Sequence, residues 1–255
     1  MINIYVANKE NWGGTFQYTE LVINALNNRR KNTIIYHTEK IWKNKKNNRT
    51  IEIKKNIFST FFIYFIILLN LSKLLNIKLL QKLTALPESF FEKNSTWIFP
   101  SQDIISCLCR GKKIASIHDL MHRLNSFPEI SGFFRKKIRD FKFKKIINSA
   151  NIILVDSKVG KKHVMSLFNH KKDNVRILAF FPIIRKFKKS NNLIFKKKYL
   201  CYPAQFWPHK NHKNLILAIS KIAKIDKTIK LYLVGHKIRL YKKLKSLSIK
   251  FECEK

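Results

Sequence analysis

An α/β fold built on a parallel sheet is what this sequence predicts, and three observations carry the expectation. Short apolar runs recur along the chain and read as buried strands. Stretches of helical periodicity separate them, which is the pattern of βαβ units. The length, 255 residues with 45% hydrophobic content, suffices to bury a full core and allows one or two domains.

In chain order, strands are expected at Ile2–Ala7, Thr33–His37, Thr96–Phe99, Lys113–Ile117, Ile152–Val155 and Asn174–Leu178. Helices are expected at Phe16–Asn28, Ile57–Leu83, Gly132–Asn148 and Lys158–Phe168, the last capped by Ser157. The segment Ala179–Lys198 is basic, contains Pro182 and a Ser190-Asn191-Asn192 patch, and reads as a linker. A first domain at 1–182, a linker at 183–198 and a second domain at 199–255 follow. The second domain opens with a strand at Tyr199 and a helix at Asn211–Lys224. A strand at Lys230–Val234 and a helix near Arg239–Ser246 come next, and Ile249-Lys250-Phe251 reads as the start of another strand. No short-period repeat is present.

The charge is extreme: 52 Lys+Arg against 15 Asp+Glu, a net +37. Three readings stand. Lys, Asn and Ile are what an AT-rich coding sequence produces. An anionic membrane surface would attract such a chain. Nucleic acid is the least favoured partner, because the lysines are spread everywhere rather than striped on one face. The cysteines, at 107, 109, 201 and 253, lack metal spacing: Cys107-Leu108-Cys109 is too tight for a zinc pair and no second pair follows. Reduced thiols in a cytoplasmic protein are expected. The N-terminus has no basic region followed by an apolar stretch, so no secretion signal is read there. The apolar run Ile57–Leu71 is shorter than the ~20 residues that cross a bilayer. Lys54-Lys55 precede it and Lys73 follows. It reads either as a core helix or as one packed partly on the domain and partly on the inner face of the cell membrane.

Several segments carry chemistry. The run Tyr199–Ala218 reads as a buried strand, a polar turn and an amphipathic helix. The turn holds Trp207, Pro208, His209, Lys210, Asn211 and His212. The unpaired N–H groups of a first helical turn beside a lysine make an anion site that suits a diphosphate. In so lysine-rich a chain, a solvated surface lysine is the competing reading for Lys210. His118 stands at a strand's C-terminal end, where open α/β sheets place ligands, or else bonds to a neighbouring turn. Asp119 suits capping that turn. Gly13-Gly14 follows a strand and permits close backbone approach to a phosphate or sugar, or merely a tight turn. The glycines lack dinucleotide-fingerprint spacing. His118 and His122 have the spacing of a helical metal pair but no acidic partner in the sequence, so no metal and no cofactor are expected. No Asp-x-Asp occurs, which favours diphosphate stabilisation by a lysine and a helix over metal catalysis.

These segments, taken in order, resemble glycosyltransferase family 4 enzymes of the GT-B fold. Trp207-Pro208-His209-Lys210-Asn211 and its flanks resemble the opening of their second domain. His118-Asp119-Leu120, followed by Phe127-Pro128-Glu129, resembles a strand tip of their first. Asn151–Ser157 is similar to a later strand of that domain, and Ile2–Ala7 with Trp12-Gly13-Gly14 to its opening strand and glycine loop. The resemblance implies a GT-B-like pair of Rossmann-like domains with the site in the cleft between them. It further implies a retaining transfer of sugar from a nucleotide-sugar donor to a surface glycan or lipid-linked acceptor. Lys210 would hold the donor diphosphate and His118 would face the sugar. Gly13 and Gly14 would approach the donor, with Asp119, His209 and Asn211 as further candidates.

The sequence departs from that pattern twice. Pro203-Ala204-Gln205 has no arginine before the turn, and no glutamate pair seven residues apart follows. The last acids, Glu252 and Glu254, lie in the terminal tail. The second domain is therefore expected to be incomplete, with a separately encoded C-terminal half as one explanation, and the 255-residue chain to have negligible activity alone. The rival class is a non-catalytic basic module that binds an anionic membrane or nucleic acid.

Overall fold

The computed structural model describes residues 1–10, 13–29, 32–43, 48–124, 132–168, 172–181, 199–237 and 240–251. Trp12, Phe127-Pro128-Glu129, the expected linker 183–198 and the terminal acids lie outside the described residues. The chain divides into two compact units. The first comprises Met1–Leu124 and Lys137–Ile184, the second Asn125–Lys136 and Arg185–Lys255.

The first unit is built on a seven-stranded sheet, with every strand parallel to its neighbours. The strands are β1 (Ile2–Val6), β2 (Thr33–His37), β3 (Arg49–Glu52), β4 (Thr96–Phe99), β5 (Lys112–Ile117), β6 (Ile152–Val155) and β7 (Val175–Ile177). Their spatial order is β3-β2-β1-β4-β5-β6-β7. The order reverses between β1 and β4, which makes the carboxyl ends of those strands the switch point where doubly wound folds take ligands.

Alternation along the strands divides the core in two. Tyr5, Ile34, Tyr36, Trp97 and Phe99 face one side, with Ile63, Ile66 and Ile67 of α2 (Ile57–Leu68) and Phe143, Ile146 and Ile147 of a later basic helix (Phe133–Ser149). Ile4, Val6, Ile35 and Ile98 face the other, with Phe16, Tyr18, Val22 and Ile23 of α1 (Gly14–Asn28) and Trp42. Both faces are covered, which is why the inner strands read as continuous apolar runs.

Three expectations are corrected. The single helix read at Ile57–Leu83 is two, α2 and α3 (Ile77–Thr84). Asn70 takes φ 57° after α2, and Asn76 caps α3 by accepting from the Leu79 N–H at 2.8 Å. Asparagine tolerates the left-handed conformation and competes for backbone donors, so it breaks a run that apolar periodicity carries straight through. Strand β3 was not expected, since Ile51 is the one apolar residue in Arg49-Thr50-Ile51-Glu52; among the described residues it is an edge strand paired with β2. In the remaining helices, α4 (Met121–Leu124), α5 (Phe133–Ser149), α6 (Lys158–Phe168), α7 (His212–Ile225) and α8 (Leu240–Lys250), the correction falls on α8. Ile249 and Lys250 belong to it rather than to a strand, because the spacing of Leu240, Leu244 and Leu247 continues a helical face.

The described second unit pairs β8 (Tyr199–Pro203) with β9 (Lys230–Val234) in parallel, connected through α7. Its core centres on Phe206, Ile216 and Leu244. Gly235 is required where β9 ends: a Cβ there would lie 2.1 Å from the Ala204 carbonyl oxygen. Among the described residues no helix is long and apolar enough to cross a membrane.

Candidate functional site

In the first unit the candidate residues gather around the carboxyl edge of the sheet. Gly13 caps α1 with φ 58° and ψ −117°, a conformation open to glycine and costly for other residues. Gly14 is different: an added Cβ would meet only the Phe180 ring, at 3.8 Å. The cap residue of α1 has no side chain, and no acid stands in the helix's first turn. Buried Asn8, just past β1, fixes this turn. Its side-chain amide donates to the Thr15 carbonyl at 2.9 Å and to Thr19 Oγ1 at 2.7 Å, while its backbone carbonyl accepts from Trp42 Nε1 at 2.8 Å.

His118 follows β5 and is held from two sides. Its Nδ1 lies 3.1 Å from Asp156 Oδ1, and its Nε2 lies 2.8 Å from the Pro100 carbonyl. Since Ile117 pairs with Val155, the next residues, His118 and Asp156, necessarily meet. An acceptor faces each ring nitrogen, so both contacts are donations only when the ring carries two protons. Tyr18 on α1 stands edge-on to the imidazole at 4.7 Å. Burial, reinforced by the Asp156 charge, pushes the Tyr18 hydroxyl up to about 12. Asn8, Tyr18 and Asp156 were not read as site residues; the register of the two strand ends was the signal for Asp156.

Asp119 accepts from the Met121 N–H at 3.2 Å and from Arg139 Nη2 at 2.9 Å, the geometry of a turn cap. His122 is buried, 3.4 Å from Asp140. Burial and the Arg139 charge hold it below its ordinary pKa, against the opposing pull of Asp140. Arg123 grips Asp140 with two nitrogens, lies over the Phe168 ring at 4.0 Å, and holds that carboxyl below its usual range. The sequence reading gave neither histidine an acidic partner. The fold corrects this by pairing His118 with Asp156 and His122 with Asp140.

In the second unit, β8 leads into a 3₁₀ turn, Pro208–Lys210, and then α7. The turn's backbone is pinned: the Lys210 N–H donates to Trp207 O at 3.0 Å and Tyr202 Oη donates to Lys210 O at 2.9 Å. Asn211, at φ 55°, caps α7 without a side-chain bond, and no acid stands in its first turn. His209, Lys210 and Asn211 are exposed. His212 is buried, stacked on Phe206 at 4.8 Å and edge-on to Tyr202 at 5.1 Å. Burial, then the neighbouring Lys210 charge, lower its pKa. The turn therefore presents a fixed cationic backbone bend beside an open helix N-terminus, which suits a phosphate-bearing ligand.

No family model matches the sequence, and no curated protein matches it. Solved structures do match in fold. The glycosyltransferase WaaG, described as involved in lipopolysaccharide biosynthesis, aligns at TM-score 0.60 and 10% identity, over 99% of this chain and 68% of that one. A glycosyltransferase from Rickettsia africae aligns at TM-score 0.55 and 16% identity, over 99% of this chain and 65% of that one. A putative UDP-N-acetylglucosamine 2-epimerase from Listeria monocytogenes aligns at TM-score 0.51 and 10% identity, over 99% and 67%. The chain thus spans about two thirds of the length of these proteins. At such identities the likeness is one of fold, and the fold is the GT-B-like α/β architecture of these glycosyltransferases.

Proposed function

We propose that this chain belongs to a nucleotide-sugar-dependent glycosyltransferase of the family 4 type, acting on a surface-glycan or lipid-linked acceptor with retention and without a metal. The observation that carries the reading is the Lys210 turn at the open N-terminus of α7. Breaking the bond between the sugar's C1 and a diphosphate puts negative charge on the leaving group. An ammonium carried on a pinned backbone bend, together with aligned N–H groups, stabilises that charge. His118 orients the sugar. Both its nitrogens are engaged, so contact with a sugar hydroxyl requires Nε2 to exchange the Pro100 carbonyl for it. Asp156 keeps the ring in place through that exchange.

Titration calorimetry with UDP tests the carrying observation on the 255-residue chain. UDP should bind, and Lys210→Ala should weaken binding roughly tenfold or more, the loss expected when one charged hydrogen bond goes. Lys213→Ala, exposed one residue inside α7, should leave it unchanged. Absence of nucleoside-diphosphate binding, or equal behaviour of the two variants, would refute the reading. The epimerase fold match makes a second measurement necessary: in a chimera that adds the rest of a glycosyltransferase second domain, labelled UDP-sugars should yield transfer to an acceptor, not a changed sugar epimer, while the 255-residue chain alone should turn over negligibly. Salt-sensitive nucleic-acid binding that ignores nucleotide sugars would instead support the basic binding module.

A further inference from the structure

We infer that the outward face of α2 docks on an anionic lipid bilayer. This goes beyond the donor chemistry and does not rest on it. The inner face of α2, Ile63, Ile66 and Ile67, lies in the core. The outer face is just as apolar: Ile57 is 87% exposed, Phe58 76%, Phe61 61% and Leu68 58%, with Tyr64 and Phe65 beside them. A helix apolar on all sides is ordinarily covered on all sides. The short polar side chains of α2 bond at its own N-terminus. Ser59 completes a capping box with Asn56, and Thr60 Oγ1 donates to the Asn56 carbonyl at 2.9 Å.

Charge decides what covers this face. Between Glu52 and Glu88 the chain carries five lysines and no Asp or Glu. Lys55 is turned inward and donates to the Tyr5 hydroxyl, while Lys54, Lys73, Lys78 and Lys82 are exposed. Lys54 and Lys73 bracket α2 along the chain. Lys78 and Lys82 lie one turn apart on α3, which packs against α2. The segment that presents this apolar face carries lysines and no acid of its own, the carboxylate that acts on Tyr64 being Asp103 from outside the segment, and so it complements phospholipid headgroups of negative charge. A second copy fits poorly, since a twofold pairing would bring the same lysines together on chains of charge +37. Twelve residues of helix reach only about 18 Å against the ~30 Å of a hydrocarbon core, so α2 lies in the interface and does not span.

Co-sedimentation of the 255-residue chain with vesicles tests this. The chain should pellet with phosphatidylcholine vesicles containing phosphatidylglycerol, less so with phosphatidylcholine alone, and less as salt rises. The double variant F58S/F61S, which touches no buried position, should bind the anionic vesicles roughly tenfold more weakly or worse with an unchanged circular dichroism spectrum. K78Q/K82Q should weaken binding mainly at low salt. The inference is overturned if the parent does not bind, or if F58S/F61S binds as the parent does, which would assign attachment to the overall charge. It is equally overturned if the parent is a dimer that F58S/F61S dissociates, because α2 would then pack on a second copy.

Discussion

At the scale of single residues, Gly13 and Gly14 are adjacent and chemically identical, yet the fold treats them differently. Gly13 sits at φ 58°, so Gly13→Ala should cost on the order of 1–2 kcal/mol of stability. Gly14 opens a helix with room for a methyl group, so Gly14→Ala should be neutral or slightly stabilising. Thermal melts of the two variants check this, and equal melting temperatures would contradict the assigned backbone geometry. His118 and Asp156 act as a unit. On the proposed reading, in a chimera that adds the rest of a glycosyltransferase second domain, Asp156→Asn should lower turnover as His118→Ala does, and the double variant should be little worse than either alone. Multiplied losses in a double-mutant cycle would show that Asp156 does not work through the ring.

Elements follow from residues that the periodicity of apolar positions does not register. Asn70 and Asn76 split one long apolar run into α2 and α3, and their contribution is backbone conformation and capping, not burial. Asn76→Ala should cost about 1 kcal/mol through the lost cap. Urea unfolding should read this as a lower midpoint with an unchanged slope. In the second unit, Gly235→Ala places a methyl against the Ala204 carbonyl. It should part the carboxyl ends of β8 and β9 and speed amide exchange along both strands, while β1 and β4 exchange as in the parent. Parental exchange rates in β8 would refute that close approach.

For the whole molecule, the two units differ in how much they bury. The first closes two apolar layers on a seven-stranded sheet; the described second unit has a two-stranded sheet with Tyr199, Leu200 and Val234 exposed. Native-state hydrogen exchange should therefore show the second unit opening at lower free energy than the first. Stability should also depend on pH with a definite sign. Burial lowers the pKa of His37, His122 and His212 from 6.5. Below about pH 6.5 the unfolded chain takes up protons that the folded chain refuses, so stability declines as pH falls through that range. The lowered pKa of Asp140 adds a separate loss only below its ordinary value of 3.8. The melting temperature should be lower at pH 5.5 than at 7.5, and His212→Phe should flatten the dependence in the second unit. A melting temperature that rises on acidification would show that these rings are not held neutral.

The sequence by itself determined the α/β class, the positions of most strands and helices, and the strand-turn-helix around Lys210, although the strand read there as buried, β8, is largely exposed in the described unit. Each of these is local: an apolar run, a helical period and a turn rich in Pro, His and Asn state their conformation within a few residues. Tertiary structure alone decided which strands are neighbours, and with that which side chains meet. Asp156 lies 38 residues beyond His118 and reaches it only because β5 and β6 pair in register. The exposure of Phe58 and Phe61 was likewise undecidable from a run that is apolar on every side. Only the packing of Ile63, Ile66 and Ile67 against the sheet fixes which face of α2 remains uncovered.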